Sequence, residues 1–237
     1  MRRLIPSLLC ACCFGVLTAV AIAPQAFAQA ASGQATMPPA LRAAVASGNA
    51  SAIQQAMNTL SAGNPQRLAG LAQQVSAAAE LMIATNPLAA ANAANAASAA
   101  ARQPAVIAAA PQAALSLAIS TSRIATSPGV QAAAPAVSAA ISVNAVGVTT
   151  SPTVFAISPQ AALQVMSDSF TSLKSPNVAA SSVGALREVT GLLTDASSNP
   201  RLAAALATSG AIIVSILTDT VTPDLIKVRD DGGGTAS

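Results

Sequence analysis

The sequence predicts an all-α chain and, within that class, a short-repeat α-solenoid of about 24-residue units. Three observations carry this expectation. The apolar content is mostly alanine, the best helix former. Pro104, Pro128, Pro152, Pro176 and Pro200 lie 24 residues apart, and Pro87, Pro111, Pro135 and Pro159 repeat with the same period, so segments of 7 and 17 residues alternate. Asn64, Asn86, Ser127, Ser151, Ser158, Ser175 and Asn199 each stand directly before a proline. Asn and Ser are preferred N-caps and proline suits the first helical position, so these dipeptides read as helix starts.

Residues 1–28 read as an export signal. Arg2 and Arg3 open it, Leu4 to Ala23 is uncharged and mostly apolar, and Ala26-Phe27-Ala28 supplies a small-x-small cleavage site before Gln29. The apolar run is close to spanning length, so an uncleaved anchor is the competing reading; a lipoprotein signal ending at Cys12 is a further one. Export of this kind points to the periplasm or beyond. Cys10, Cys12 and Cys13 all fall in this segment, which leaves the mature chain without disulfides. Arg2 and Arg3 are two of the 11 basic residues, so the rest of the chain is near charge balance against 8 acidic ones. That balance gives no footprint for nucleic acid.

Residues 29–39 read as a flexible lead-in and 40–103 as diverged N-terminal helices, broken at Ser47-Gly48-Asn49 and Ala62-Gly63-Asn64-Pro65. Residues 104–199 hold the 24-residue repeats. "PAVIAAAPQAAL" at Pro104 recurs as "PGVQAAAPAVSA" at Pro128, "PTVFAISPQAAL" at Pro152 and, more weakly, "PNVAASSVGALR" at Pro176, with Val106, Val130, Val154 and Val178 in one column. In the long segments Ala113, Ala114, Leu117, Ala118 and Ile124 share a helical face, as do Ala161, Leu163, Val165, Met166, Phe170 and Leu173. The 7-residue segments hold only a turn or two, α or 3₁₀. Ala110 and Ala134 are poor caps, so a kinked continuous helix is the alternative before Pro111 and Pro135. The β-branched stretch Ile141 to Ser158 offers a β-solenoid as the rival fold. Residues 200–226 read as a C-terminal capping helix and 227–237 as a disordered tail.

The 24-residue period over Pro104 to Asn199 resembles that of the leucine-rich variant repeats, which pair an α-helix with a 3₁₀ helix. That family's charged columns are missing here, as are mature-chain cysteines for a metal cluster. The resemblance implies an architecture and no activity. Alanine-rich, proline-punctuated secreted bacterial proteins are an equally good comparison.

The chemical inventory is small. The chain has no His, Tyr or Trp, which removes the commonest general base and the larger stacking groups. Glu80, Asp168, Glu188, Asp195, Asp219, Asp224, Asp230 and Asp231 are its only carboxylates. Lys174 lies near Ser169, Ser172 and Ser175, but S-x-x-K fails at Thr171. Asp168, Lys174, Arg187 and Glu188 read as solubilising charges, Phe155 and Phe170 as core. The sequence thus nominates no catalytic, cofactor-binding or metal residue. It points to an exported, non-enzymatic structural or interaction module of the bacterial envelope, whose partner is another protein, an envelope component or a second copy. A membrane-associated envelope protein is the alternative, through the uncharged runs Ile124–Ser167 and Leu202–Thr218, followed by a small-ligand carrier or enzyme.

Overall fold

The computed structural model describes residues 37–204; the segments read above as export signal and tail, and most of those read as lead-in and capping helix, lie outside the described residues. Among the described residues the chain is all-α, with twelve helices and no strand. They are α1 Pro39–Ser47, α2 Ala50–Ser61, α3 Pro65–Met82, α4 Pro87–Ala101, α5 Pro104–Ala109, α6 Pro111–Thr126, α7 Pro128–Ala133, α8 Pro135–Thr149, α9 Pro152–Ile157, α10 Pro159–Lys174, α11 Pro176–Ser181 and α12 Val183–Ser197. A further helical stretch opens at Pro200. Ile141 to Ser158 lies in α8 and α9, which overturns the β alternative. Burial explains this: Ile141, Ser142, Val143, Ala145, Val146, Val148 and Thr149 are all buried, which fits a helix enclosed by neighbours, so the apolar run need not be a strand.

The short segments are six-residue α-helices, not 3₁₀ turns. They are separate from the long ones, so the kinked-helix alternative before Pro111 and Pro135 also fails. Ala110 and Ala134 leave helical geometry at φ −144° and −146°. A proline disfavours helical backbone in the residue before it, and so breaks the chain there without help from a cap.

The caps divide into two groups. Asn64, Asn86 and Ser158 accept hydrogen bonds from the N–H groups of Arg67, Ala89 and Ala161. Asn199 accepts from Arg201 N–H, and Asn49, which the proline rule misses, accepts from Ala52 N–H. Ser127, Ser151 and Ser175, expected to cap, make no such bond. Each instead closes the preceding long helix, donating its own N–H to the carbonyl of Ile124, Val148 or Ser172. Ser151 Oγ meets Thr153 Oγ1 at 3.0 Å, whereas Ser175 Oγ is buried with no hydrogen-bond partner among the described residues. Asn64→Ala and Asn86→Ala should therefore each cost about 1 kcal/mol in urea unfolding. Ser127→Ala should stay within about 0.5 kcal/mol.

The long helices α3, α4, α6 and α8 each pack against both the next long helix and the next but one. The long helices thus form two rows, α3, α6 and α10 in one and α4, α8 and α12 in the other. Three side-chain bonds run along the rows, while Ser138 crosses between them, donating to the Ala125 carbonyl and meeting Ser172 Oγ. Ser76 meets Ser120 at 2.7 Å, Asn144 Nδ2 donates to Ser98 Oγ, and Ser172 Oγ donates to the Ala125 carbonyl. Each short helix α5, α7, α9 and α11 packs on a long helix further back in the chain: α3, α4, α6 and α8.

Small residues permit this density. In α4, Ala89, Ala90, Ala91, Ala93, Ala94, Ala96 and Ala97 are all buried, so neighbouring helices approach it on several sides. Hydroxyl residues share buried faces by bonding within their own helix: Thr121 to the Leu117 carbonyl, Ser142 to that of Ser138, Thr149 to that of Ala145. Phe155 and Phe170 are buried in a core with Met166, Leu173, Val178 and Val189. At the N-terminal end, Gly48 closes α1 in the left-handed region at φ 66°. Its carbonyl accepts from Asn92 Nδ2, and a Cβ there would lie 3.0 Å from Ala89 Cβ, which ties the turn to α4.

Candidate functional site

The most developed polar constellation lies along the row α4, α8 and α12. Arg102 follows the last residue of α4, where the chain turns toward α5. Its stem lies over Gly147 of α8, so closely that a Cβ at 147 would stand 2.8 Å from Arg102 Nε. Arg102 Nη1 donates to Asn144 Oδ1 at 3.2 Å and to Glu188 Oε1 at 3.2 Å. Asn144 Nδ2 in turn donates to Ser98 Oγ at 3.2 Å. One guanidinium therefore joins three successive helices of the row.

These groups rim a groove of about 390 Å³ floored by Ala136, Ala140, Val143 and Ala185. Ser182 and Gly184, at the start of α12, complete it. Arg102 and Glu188 are the ion pair among the described residues, and both are partly open to water. Such a pair contributes about 0–1 kcal/mol to stability. The arrangement sets a guanidinium, a carboxamide and one carboxylate beside Ala136, Ala140, Val143 and Ala185.

Gly147→Ala should displace the Arg102 stem and break both its bonds. The helix-propensity gain, about 1 kcal/mol, offsets the loss, so net stability should change little. The measurable sign is that stability at low salt becomes less sensitive to added salt than in the parent chain.

The charged residues that read as solubilising go separate ways in the fold. Glu188 pairs with Arg102, far along the chain, rather than acting with its neighbour Arg187. Asp168 accepts from Gln164 on its own helix. Lys174 is exposed, whereas Ser169 and Ser172 are buried, and among the described residues no hydrogen bond joins Lys174 to a serine. Ser172 is engaged by Ser138 and the Ala125 carbonyl instead. Asp219, Asp224, Asp230 and Asp231 lie outside the described residues. Sequence reasoning missed Arg102 and Asn144. Gly147, a lone glycine inside a helix of β-branched residues, was the signal that could have found them.

Partial burial raises the Glu80 carboxyl above its ordinary value, partly opposed by the positive charge of Arg123, although the residue keeps an exposed side. The folded state therefore holds this proton more tightly than the unfolded state. Stability should fall as pH rises from the ordinary glutamate value through the raised one. Glu80→Gln should remove that slope and leave the protein more stable at neutral pH, as measured by thermal melts across pH 4–7.

Other depressions among the described residues include one of about 520 Å³ between α1 and α3 and one of about 670 Å³ beside α9 and Pro200. Ile124–Ser167, one of the two uncharged runs, is divided among α6 to α10, and no helix among the described residues is long and apolar enough to cross a membrane. Leu202–Thr218 lies largely outside the described residues. Comparison of the chain with family models, curated proteins and solved structures returned no match.

Proposed function

We propose that this chain is an exported, non-enzymatic interaction module of the bacterial envelope, built as a short-repeat α-solenoid. The observation that carries the reading is the groove along α4, α8 and α12. Alternate long helices present it together, and Arg102, Asn144 and Glu188 edge an alanine floor. An apolar floor with a few fixed polar groups suits a docked segment of a partner better than a reaction. The small alanine faces favour close helix contact, with another protein, an envelope component or a second copy.

Photo-crosslinking in intact cells tests this. A photoreactive residue at Ala140, on the groove floor, should give discrete adducts with an envelope component. Arg102→Ala should diminish them. A probe at Leu88, exposed outside the groove, should not give the same adducts. An identical adduct pattern from both positions would sink the proposal, as would adducts unaffected by Arg102→Ala.

A further inference from the structure

The contact between alternate long helices fails once, at the N-terminal end. α2 packs on α4, α3 on α6, α4 on α8 and α6 on α10, but α1 does not pack closely on α3. Both lie against α2 and α4 instead. α1 is only nine residues long. The Gly48 turn that closes it accepts from Asn92 of α4, so α1 is held there and stands off from α3. A groove of about 520 Å³ is left between the two helices.

Met37, Val45, Ala46, Ala78, Leu81 and Met82 line it with apolar surface, and Arg42 is the single charged lining residue among the described ones. Arg42, Val45 and Ala46 share one face of α1, and Ala78, Leu81 and Met82 share one face of α3, each at steps of three and four. Val45 and Ala78 are buried, whereas Ala46 is exposed and Leu81 is 63% exposed. Arg42 Nη2 donates to the Met37 carbonyl at 3.2 Å, which holds the guanidinium at the groove. Among the described residues no carboxylate pairs with Arg42, in contrast to Arg102, which has Glu188.

We propose that this groove binds a free single-chain fatty acid, with the alkyl chain between α1 and α3 and the carboxylate on Arg42. Its volume lies within the range of small-molecule sites, about 300–1,000 Å³. Charge complementarity selects the head group. A guanidinium without a carboxylate partner presents a planar fork of donors that fits a carboxylate. The apolar walls select the body. A peptide would bring backbone N–H and C=O groups against side chains that offer them no hydrogen bonds, at a cost an alkyl chain does not incur. Met37 and Met82 are flexible enough to follow a chain of no fixed shape. The site shares no residue with the Arg102 groove.

Isothermal titration of the delipidated full chain with dodecanoate, below its micelle concentration, tests this. Binding at a single site per chain is expected. Octanoate, a shorter carboxylate, should bind at least about tenfold more weakly. Dodecyltrimethylammonium, with the same chain and the opposite charge, should also bind at least about tenfold more weakly. Arg42→Gln should weaken dodecanoate binding about tenfold. Ala46→Glu is the second variant; it changes an exposed residue one turn from Arg42, sets a carboxylate beside the guanidinium, and should weaken binding likewise. Arg67→Gln, exposed in the first turn of α3, should leave it unchanged. Equal affinity for the two dodecyl ions, or dodecanoate binding unaltered in both groove variants, overturns the proposal. Absence of dodecanoate binding overturns it too, and retention on phosphatidylglycerol vesicles in that case would make the groove a membrane contact.

Discussion

Ala97→Leu is expected to lower stability by about 3 kcal/mol, near the upper end for overpacking a core. Ala97 is fully buried in α4, and α4 is enclosed by α2, α3, α6 and α8. Three added carbons have no solvent side to turn toward. The neighbours that would have to move are helix backbones and the short side chains Ala93, Ala94 and Ala101, which are themselves buried. Ala99, on the same helix, is only partly buried. Ala99→Leu should cost less than about 1 kcal/mol, because one flank can relax outward. Urea unfolding of the two variants checks the pair. Equal costs would mean that α4 is not the tightly held centre its burial indicates.

Phe170→Ala should cost about 3–5 kcal/mol. Phe170 is the largest fully buried side chain, and it fills the space among Val143, Val146, Met166, Leu173 and Val178. Val143, Val146 and Val178 are short and branched, and of these neighbours only Met166 and Leu173 are long enough to move toward the vacated volume, so part of the cavity should remain. The effect should also be local. Phe170 belongs to a core running from Ala139 to Leu202, whereas α1 to α4 draw on a different cluster. Stacked arrays transmit stability mainly through neighbouring elements. Hydrogen exchange should quicken in α10 to α12 before it does in α3 and α4. Uniform quickening would show that the two clusters open as one unit.

Much of the helix plan is legible in the sequence because proline acts at its own residue. Fixed φ and the restriction on the preceding residue place ten helix starts from Pro39 to Pro176, whatever surrounds them. α12 starts at Val183 without a proline, at the position the period assigns to one. The cap roles were less legible. Ser158 and Ser151 look alike as letters, but Ser158 has φ −153° and Ser151 has φ −66°, a difference set by how the two flanking helices meet. The stacking partner was not legible either. A 24-residue period is equally compatible with contact to the next unit and to the one after it. Only the fold shows that Ser76, Ser98 and Ala125 find their partners more than 40 residues on. Arg102 was hidden for the same reason: its partners Asn144 and Glu188 lie 42 and 86 residues away.

The two rows give the chain a parity. Bonds such as Ser76–Ser120, Ser98–Asn144 and Ser172 to the Ala125 carbonyl join units of like rank, odd with odd and even with even. Removing a single 24-residue unit would send every later unit into the opposite row, to face residues suited to a different partner. Removing two consecutive units would shorten both rows equally and return each survivor to a neighbour of its own rank. On the repeat reading proposed above, such a chain should grow or shrink by pairs, in steps of 48 residues rather than 24.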